Sequence, residues 1–267
     1  MKKYFLNALM VSSLFLGLSS CDKTEGPILS DNSDKISFLS STTSLAMSGG
    51  SISVPVGRTN TAADNSFTLT LTAAGAGYTN VFALDGPVKF AAGEGKSYAN
   101  VKYGDISKID PSALSVTGIA NNDVRVGLAF PISLNIGDND ISYGNKKKID
   151  VNASSILEFE DIGNGTLNST EGWAEASGTV KIQKAKTANV YKIVSPFGAN
   201  SIAFMVKSDG KSIVFPNQII DNHPTYGPVT MGNVVATISG KVVTINVGGY
   251  TVSAGSFGAG KEIITLP

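Results

Sequence analysis

From Lys35 onward, apolar and polar residues alternate with a period of two. In Ser51-Ile52-Ser53-Val54-Pro55-Val56, the residues Ile52, Val54 and Val56 share one face. Phe67, Leu69 and Leu71 do the same in the next run, with Thr68, Thr70 and Thr72 opposite. Such alternation marks an antiparallel strand with one face on a core and the other in water. Tyr98 to Tyr103, Val124 to Leu128 and Ile132 to Ile136 extend the series. Pro55 and Pro131 lack the N–H that a ladder needs, which predicts edge strands or bends at both. Ser48-Gly49-Gly50, Ala74-Gly75-Ala76-Gly77 and Gly93-Glu94-Gly95 read as turns. Only Gly104 to Ala113 hints at a helical turn, which Asp110-Pro111 would interrupt.

A second series of strands is predicted at 156–159, 178–183, 190–194, 201–206, 212–215, 234–238, 241–247 and 262–266. Ser208-Asp209-Gly210-Lys211 and Ser239-Gly240 are links of hairpin type. The polar stretch Asn145 to Ser155, rich in Lys at its start, is the expected boundary. The fold class is therefore all-β, with two sandwich- or barrel-like modules at residues 35–150 and 154–267. Parallel topologies are disfavoured, because the helices of βαβ crossovers are missing.

Composition supports this picture. Only 16% of the 267 residues are charged and 29 are Gly, a balance that suits strands and turns better than surface helices. Formal net charge is zero, and Lys146-Lys147-Lys148 is the single basic run, read as a solvated turn. Nucleic acid is not an expected partner, since neutralising phosphates takes clustered Lys and Arg.

The amino terminus changes the expected location. Met1-Lys2-Lys3 is a cationic start, and Tyr4 to Gly17 is an apolar stretch. Its length suits a signal-peptide core of about 7–15 residues and falls short of the roughly 20 needed to span a bilayer. Leu18-Ser19-Ser20-Cys21 follows. It resembles a bacterial lipobox, which implies a leader at residues 1–20, cleavage before Cys21 and acylation of that residue. The anchor would hold the chain on the outer-membrane bilayer. Residues 21–34 read as a flexible tether. Cys21 is the only cysteine, so no intramolecular disulfide can form.

Two further segments carry a resemblance. Val88-Lys89-Phe90-Ala91-Ala92-Gly93-Glu94, followed by Tyr98-Ala99-Asn100-Val101, resembles a strand–turn–strand of Calx-β-like, immunoglobulin-like modules. Asn189 to Gly198 and Tyr250 to Leu266 resemble strand ends of β-rich accessory domains. Together with the lipobox, the chain is similar to cell-surface lipoproteins of Bacteroidetes. That resemblance implies a β-sandwich followed by an accessory domain, and loci for glycan capture or adhesion. It also implies a polysaccharide or an outer-membrane transporter complex as partner. Only Asp22 and Glu25 stand for the acidic run of surface-exported members, which leaves both the cell surface and the periplasmic face open.

Motifs of catalysis are weak. Gly255-Ser256-Phe257-Gly258-Ala259-Gly260-Lys261 has phosphate-loop spacing, but Glu262 follows and no helix does. Ala254 to Gly258 mimics a nucleophile elbow without the α/β sheet that an elbow needs. Ser208 and Lys211 have S-x-x-K spacing within a predicted turn. His223, the only histidine, has Asp221 nearby but no marked serine, and is read as a loop residue. Asp138 and Asp140 are weak calcium candidates, more simply read as a self-capping turn. No cofactor is expected.

Aromatics give the best lead for binding. A sugar ring stacks its C–H face on an indole or phenol, while amides and carboxylates hold its hydroxyls. Trp173 lies in a polar, glycine-bearing segment, and Tyr226 in a long loop with Asp221, Asn222 and His223. Loops hold binding residues more often than strands do. The competing reading has Trp173 begin a strand and pack in the core. Tyr191 and Phe197 are expected to be packing residues. The leading expectation is a non-catalytic module binding glycan or protein. A structural envelope subunit comes second and a hydrolase third.

Overall fold

The computed structural model describes residues 34–142 and 146–267. The leader, Cys21 and the tether as far as Ser33 lie outside the described residues. The first strands are β1 (Ile36–Phe38), β2 (Thr42–Ala46), β3 (Ser51–Arg58), β4 (Asn65–Phe67) and β5 (Leu69–Ala73). They are followed by β6 (Phe82–Leu84), β7 (Val88–Phe90), β8 (Lys96–Tyr103), β9 (Ala113–Ile119), β10 (Asp123–Ile136) and β11 (Lys148–Ile156). The second region holds β12 (Phe159–Glu171), β13 (Ser177–Ala185), β14 (Val190–Val194), β15 (Ile202–Val206) and β16 (Ile213–Val214). It closes with β17 (Gln218–His223), β18 (Gly227–Ser239), β19 (Val242–Val252), β20 (Gly255–Ser256) and β21 (Gly260–Thr265). Among the described residues the only helical pieces are two short 3-10 turns, Tyr78–Asn80 and Ile106–Lys108. The second falls where a helical turn was expected, and the Asp105 side chain caps it by accepting from the Ser107 N–H. The chain is all-β, as the alternation predicted.

In the first module, one sheet runs β1-β3-β8-β6 and the other β2-β11-β10-β5, with β9 also on β10. Their inner faces share a core that includes Phe38, Val54, Val101, Phe130, Leu134 and Val151. The rings of Tyr78, Phe82 and Phe130 meet at 5.8–5.9 Å within it. Arg58 is also buried there. Its guanidinium donates to the carbonyls of Ala91, Ala63 and Glu94 at 2.7–2.8 Å and lies over the Phe90 ring, so the buried charge is matched by acceptors.

Three expectations are corrected here. First, β2 pairs with β11 in parallel. The two strands lie at opposite ends of the module's sequence, so no crossover helix is needed to join them. Second, Pro55 and Pro131 stand in interior strands. β1 covers β3 only as far as Val56, and β9 and β5 leave Phe130 and Pro131 uncovered between them. Each proline therefore faces a local gap in pairing, where a missing N–H costs nothing. Third, the polar stretch 145–155 is mostly strand. Ile149, Val151 and Ala153 of β11 are buried, and sheet membership changes only between Ile156 and Phe159.

The second module is one curled sheet of order β16-β15-β14-β13-β12-β21-β19-β18-β17, with β20 on β19. The two ends of the sheet meet. Ser212 of the β15–β16 side bridges Thr237 of β18. Gln218 of β17 is buried, and its amide accepts from Ala203 N at 2.8 Å and donates to Ala203 O at 2.9 Å. One side chain thus stands in for a strand partner and closes the curl. The modules also touch. Ala188, Val190, Ala203 and Met205 join the first core, and Ser201 N donates to Asn122 O. Lys192, itself buried, pairs with Asp123 at 2.9 Å. Burial pushes the Asp123 carboxyl up, but bonds from Lys192 and the Val124 N–H prevail and hold it below the usual carboxylate range.

Replacing Gln218 with Leu strands the Ala203 N–H and C=O. At about 1–3 kcal/mol per unpaired buried group, the expected loss for the two is roughly 2–6 kcal/mol. Urea unfolding of the variant and the parent checks it; an unchanged midpoint contradicts the role given to the amide.

Candidate functional site

Strand order brings three turns to one end of the second sheet. In β12, β21, β19, β18 and β17, neighbours run antiparallel. The β12–β13 turn, the segment around β20 and the β17–β18 turn therefore emerge together. Each carries an aromatic residue: Trp173, Phe257 and Tyr226. His223 ends β17, and Tyr250 lies in β19.

These five rings form a continuous set. Trp173 meets Tyr250 at 5.4 Å and Phe257 at 5.3 Å. His223 meets Phe257 at 5.3 Å and Tyr226 at 4.9 Å, and Tyr226 meets Phe257 at 5.9 Å. Tyr250 is buried, Trp173 is half-buried, and Phe257 and Tyr226 are 45% and 46% exposed. The set thus runs from the core to water.

Two carboxylates hold Trp173, one at the indole and one at the backbone. Asp221 accepts from Trp173 Nε1 at 2.8 Å. Glu262 accepts from the Trp173 backbone N–H at 2.8 Å and from the Tyr250 hydroxyl at 2.6 Å, both on Oε1. Glu262 is fully buried and its Oε2 has no hydrogen-bond partner. Burial raises the Tyr250 hydroxyl's pKa far above its ordinary value, and the bond to Glu262 raises it further, so the phenol remains a donor. Gly172 makes room for the carboxylate: a Cβ there would stand 2.3 Å from Glu262 Oε1. At Gly260 a Cβ would stand 2.6 Å from the Tyr250 ring. Glu175 in the same turn adopts φ 52°, a conformation that costs a non-glycine residue about 1–3 kcal/mol.

The β17 strand contributes through an irregularity. Its register on β18 shifts between Ile219 and Asp221. A bulge of this kind re-aims the residues that follow, and here Asp221 and His223 both enter the cluster. His223 Nδ1 accepts from the backbone N–H of Thr225 and Tyr226 at 3.2 and 3.3 Å, so the ring fixes the turn that carries Tyr226. Asn222 is exposed between them, and its N–H donates to Asp221 Oδ1.

Four of the residues singled out from sequence, Trp173, Asp221, His223 and Tyr226, therefore meet, with Asn222 alongside. Their settings differ from expectation. The predicted long loop is a tight hairpin, since His223 already pairs with Gly227. Trp173 neither begins a strand nor lies in the core; it sits in the β12–β13 turn against the core's rim. Asp221, near His223 in sequence, accepts from the indole. Tyr191 and Phe197 pack against the second core, as expected.

Phe257, Tyr250 and Glu262 were not singled out. Phe257 lies in the glycine-rich segment, and an aromatic residue between Gly255 and Gly258 in a turn is itself a signal. Glu262 shares a face with Ile264 and Leu266, which are buried. A carboxylate at an inward position of an alternating strand announces a buried charge that needs partners.

The remaining candidates do not gather. Asp138 pairs with Lys147, and the Asp140 carbonyl accepts from Ile36 N. Among the described residues no group of three or more His, Cys, Asp or Glu is placed to hold a metal ion. In the Ser208–Lys211 turn, Asp209 caps Lys211 and Ser212, and its carboxyl is held down to about 2 by those bonds, Ser212's first. Cys21 lies outside the described residues.

No known family profile matches the chain, and no curated protein matches it. Among solved structures, similarity extends to a protein of unknown function from Bacteroides ovatus at 9% identity and TM-score 0.34, covering 86% of this chain and 89% of that one. A multidomain protein including DUF1735, also from B. ovatus, aligns at 10% identity and TM-score 0.30 over 86% and 92%. A two-domain protein of unknown function from Bacteroides fragilis aligns at 11% identity and TM-score 0.28 over 88% of each chain. The protein is thus defined by its own architecture: two β modules, the second bearing a carboxylate-backed aromatic end.

If Glu262 sets the indole, crowding it must disturb Trp173, the chain's only tryptophan. Gly172→Ala is expected to shift tryptophan emission and lower the melting temperature. Gly178→Ala, whose Cβ meets nothing within 4 Å, is expected to change neither. Equal behaviour of the two variants in both measurements contradicts the packing described.

Proposed function

We propose that this chain is a non-catalytic binding protein of the cell envelope that takes a saccharide on its aromatic end. Tyr226, His223 and Phe257 offer ring surface for the C–H face of a sugar, and Asp221 and Asn222 stand beside them for its hydroxyls. One observation carries the reading: two large aromatic rings remain nearly half exposed while the residues around them are fixed. Leaving such a ring half in water forgoes roughly 1 kcal/mol of burial. Fixing Trp173 with two carboxylates, one on its indole and one on its backbone, costs desolvation as well. A pre-formed, partly apolar surface repays this when a ligand covers it, because little side-chain freedom remains to be lost.

The non-catalytic reading is supported by the commitments of the polar groups. Asp221 holds the indole, Glu262 is sealed beneath Gly172, and His223 caps its own turn. Anchoring belongs to the same proposal: the lipobox-like Leu18-Ser19-Ser20-Cys21 gives the mature chain a lipid at its first residue, with the β modules beyond a short tether.

Tyr226→Ala with Phe257→Ala removes the two half-exposed rings. The double variant is expected to fold with a modestly lowered melting temperature, and at a temperature where it is fully folded to bind its saccharide at least about tenfold more weakly, a loss of some 1.4 kcal/mol. Calorimetry against a panel of oligosaccharides provides the comparison, and undiminished binding sinks the platform. For the anchor, Cys21→Ser is expected to move the chain from the membrane pellet to the soluble fraction. Recovery of intact Met1 by mass spectrometry of the parent would contradict it.

A further inference from the structure

The charges around the aromatic end narrow the ligand class. Two of its carboxylates have already been placed: Asp221 at the edge of the indole and Glu262 beneath it. Glu175 is exposed in the β12–β13 turn. Glu171, at the end of β12, pairs with Lys261 at 3.6 Å. No other Lys or Arg occurs in residues 171–176, 221–227 or 252–262. The single cation of the three turns is thus opposed by its own partner, and three carboxyl groups have no cation from these segments.

The buried Glu262 matters most. Its two bonds both fall on Oε1, and Oε2 has none. Oε2 lies directly under Gly172, at 2.6 Å from the position a Cβ would take, so no side chain stands between this oxygen and the turn above it. This unpartnered acceptor oxygen lies just beneath the turn and adds to the negative potential that Asp221 and Glu175 set at the nearby surface. The same surface is lined with ring faces, whose negative quadrupoles also favour cations over anions.

We infer that the aromatic end takes saccharides free of anionic groups and prefers those bearing a protonated amine, rejecting uronates and sulfated glycans. The inference rests on the saccharide reading above and adds its selectivity. An anionic sugar would bring like charge against Asp221 and Glu175, with no free Lys or Arg in these three turns to receive it. A 2-amino sugar keeps the same C–H face for stacking and places its ammonium group where Asp221, Glu175 and the rings all attract it.

The test uses the mature chain and four matched oligosaccharide probes: a glucosamine oligomer, its N-acetylated counterpart, an oligogalacturonate and a sulfated oligomer. Trp173 fluorescence and calorimetry supply the readouts. The amine oligomer is expected to bind at least about fivefold tighter than the acetylated one at low salt. That ratio is expected to fall towards one at about 0.5 M salt, where screening acts within a few ångströms. Asp221→Asn, which keeps an acceptor for the indole, is expected to shrink the ratio, and Glu175→Gln to shrink it less. If Asp221→Asn fails to fold, the salt dependence of the parent still decides. Tight binding of the uronate or sulfated oligomer, or an amine preference indifferent to salt, overturns the selectivity and leaves the saccharide reading standing. Silence from all four probes, with tryptophan emission unmoved, overturns the saccharide reading itself.

Discussion

Trp173 is held at both ends of its polar complement. Its backbone N–H goes to Glu262 and its indole N–H to Asp221. These bonds tie the β12–β13 turn to β21 and to β17, elements 89 and 48 residues away in sequence. Without them, the turn would be a surface hairpin like others in the chain. With them, the indole becomes a fixed wall against which Phe257 rests, and Phe257 in turn supports His223 and Tyr226. The whole aromatic end depends on carboxylates placed where carboxylates are costly.

That cost is met by the curl of the second sheet. A flat sheet would leave the β12, β21, β19 and β17 ends in a row, too far apart to share one cluster. Closing the two ends through Gln218 and the Ser212–Thr237 bridge draws the turns together. The first module contributes stiffness. Its core accepts Ala203 and Met205 from β15, the strand that Gln218 engages, so the seam of the curl is backed by a second body. Fold and site are therefore linked through one strand.

The alternation of Ile52, Val54 and Val56, or of Ile132, Leu134 and Ile136, made the strands legible because one face of each is buried and the other is not. β12 is hidden in the sequence because most of its inward residues carry no apolar side chain. Its burial alternates from Asn164 to Thr170, but two of the three inward positions are Gly165 and Ser169 and the register breaks between Asp161 and Gly163, so no apolar period of two shows in the sequence. β17 was hidden by its own bulge in the same way. The parallel pairing of β2 and β11 could not be read locally, since it joins Thr42–Ala46 to residues more than a hundred positions on. At the site, Trp173, Asp221, His223 and Tyr226 stood out by residue type and polar context. Glu262 and Tyr250 acquire their roles only when distant strands meet, although the inward register of Glu262 was visible in the sequence.

The indole N–H is the most direct witness. A chain with one tryptophan gives a single indole cross-peak in a proton–nitrogen NMR spectrum. The account predicts that this signal exchanges slowly with water, and that adding an oligosaccharide shifts it together with the amides of Tyr226 and Phe257. Shifts confined to other surfaces, such as the Thr42–Ser44 edge, with the indole signal unmoved at saturation, would contradict it.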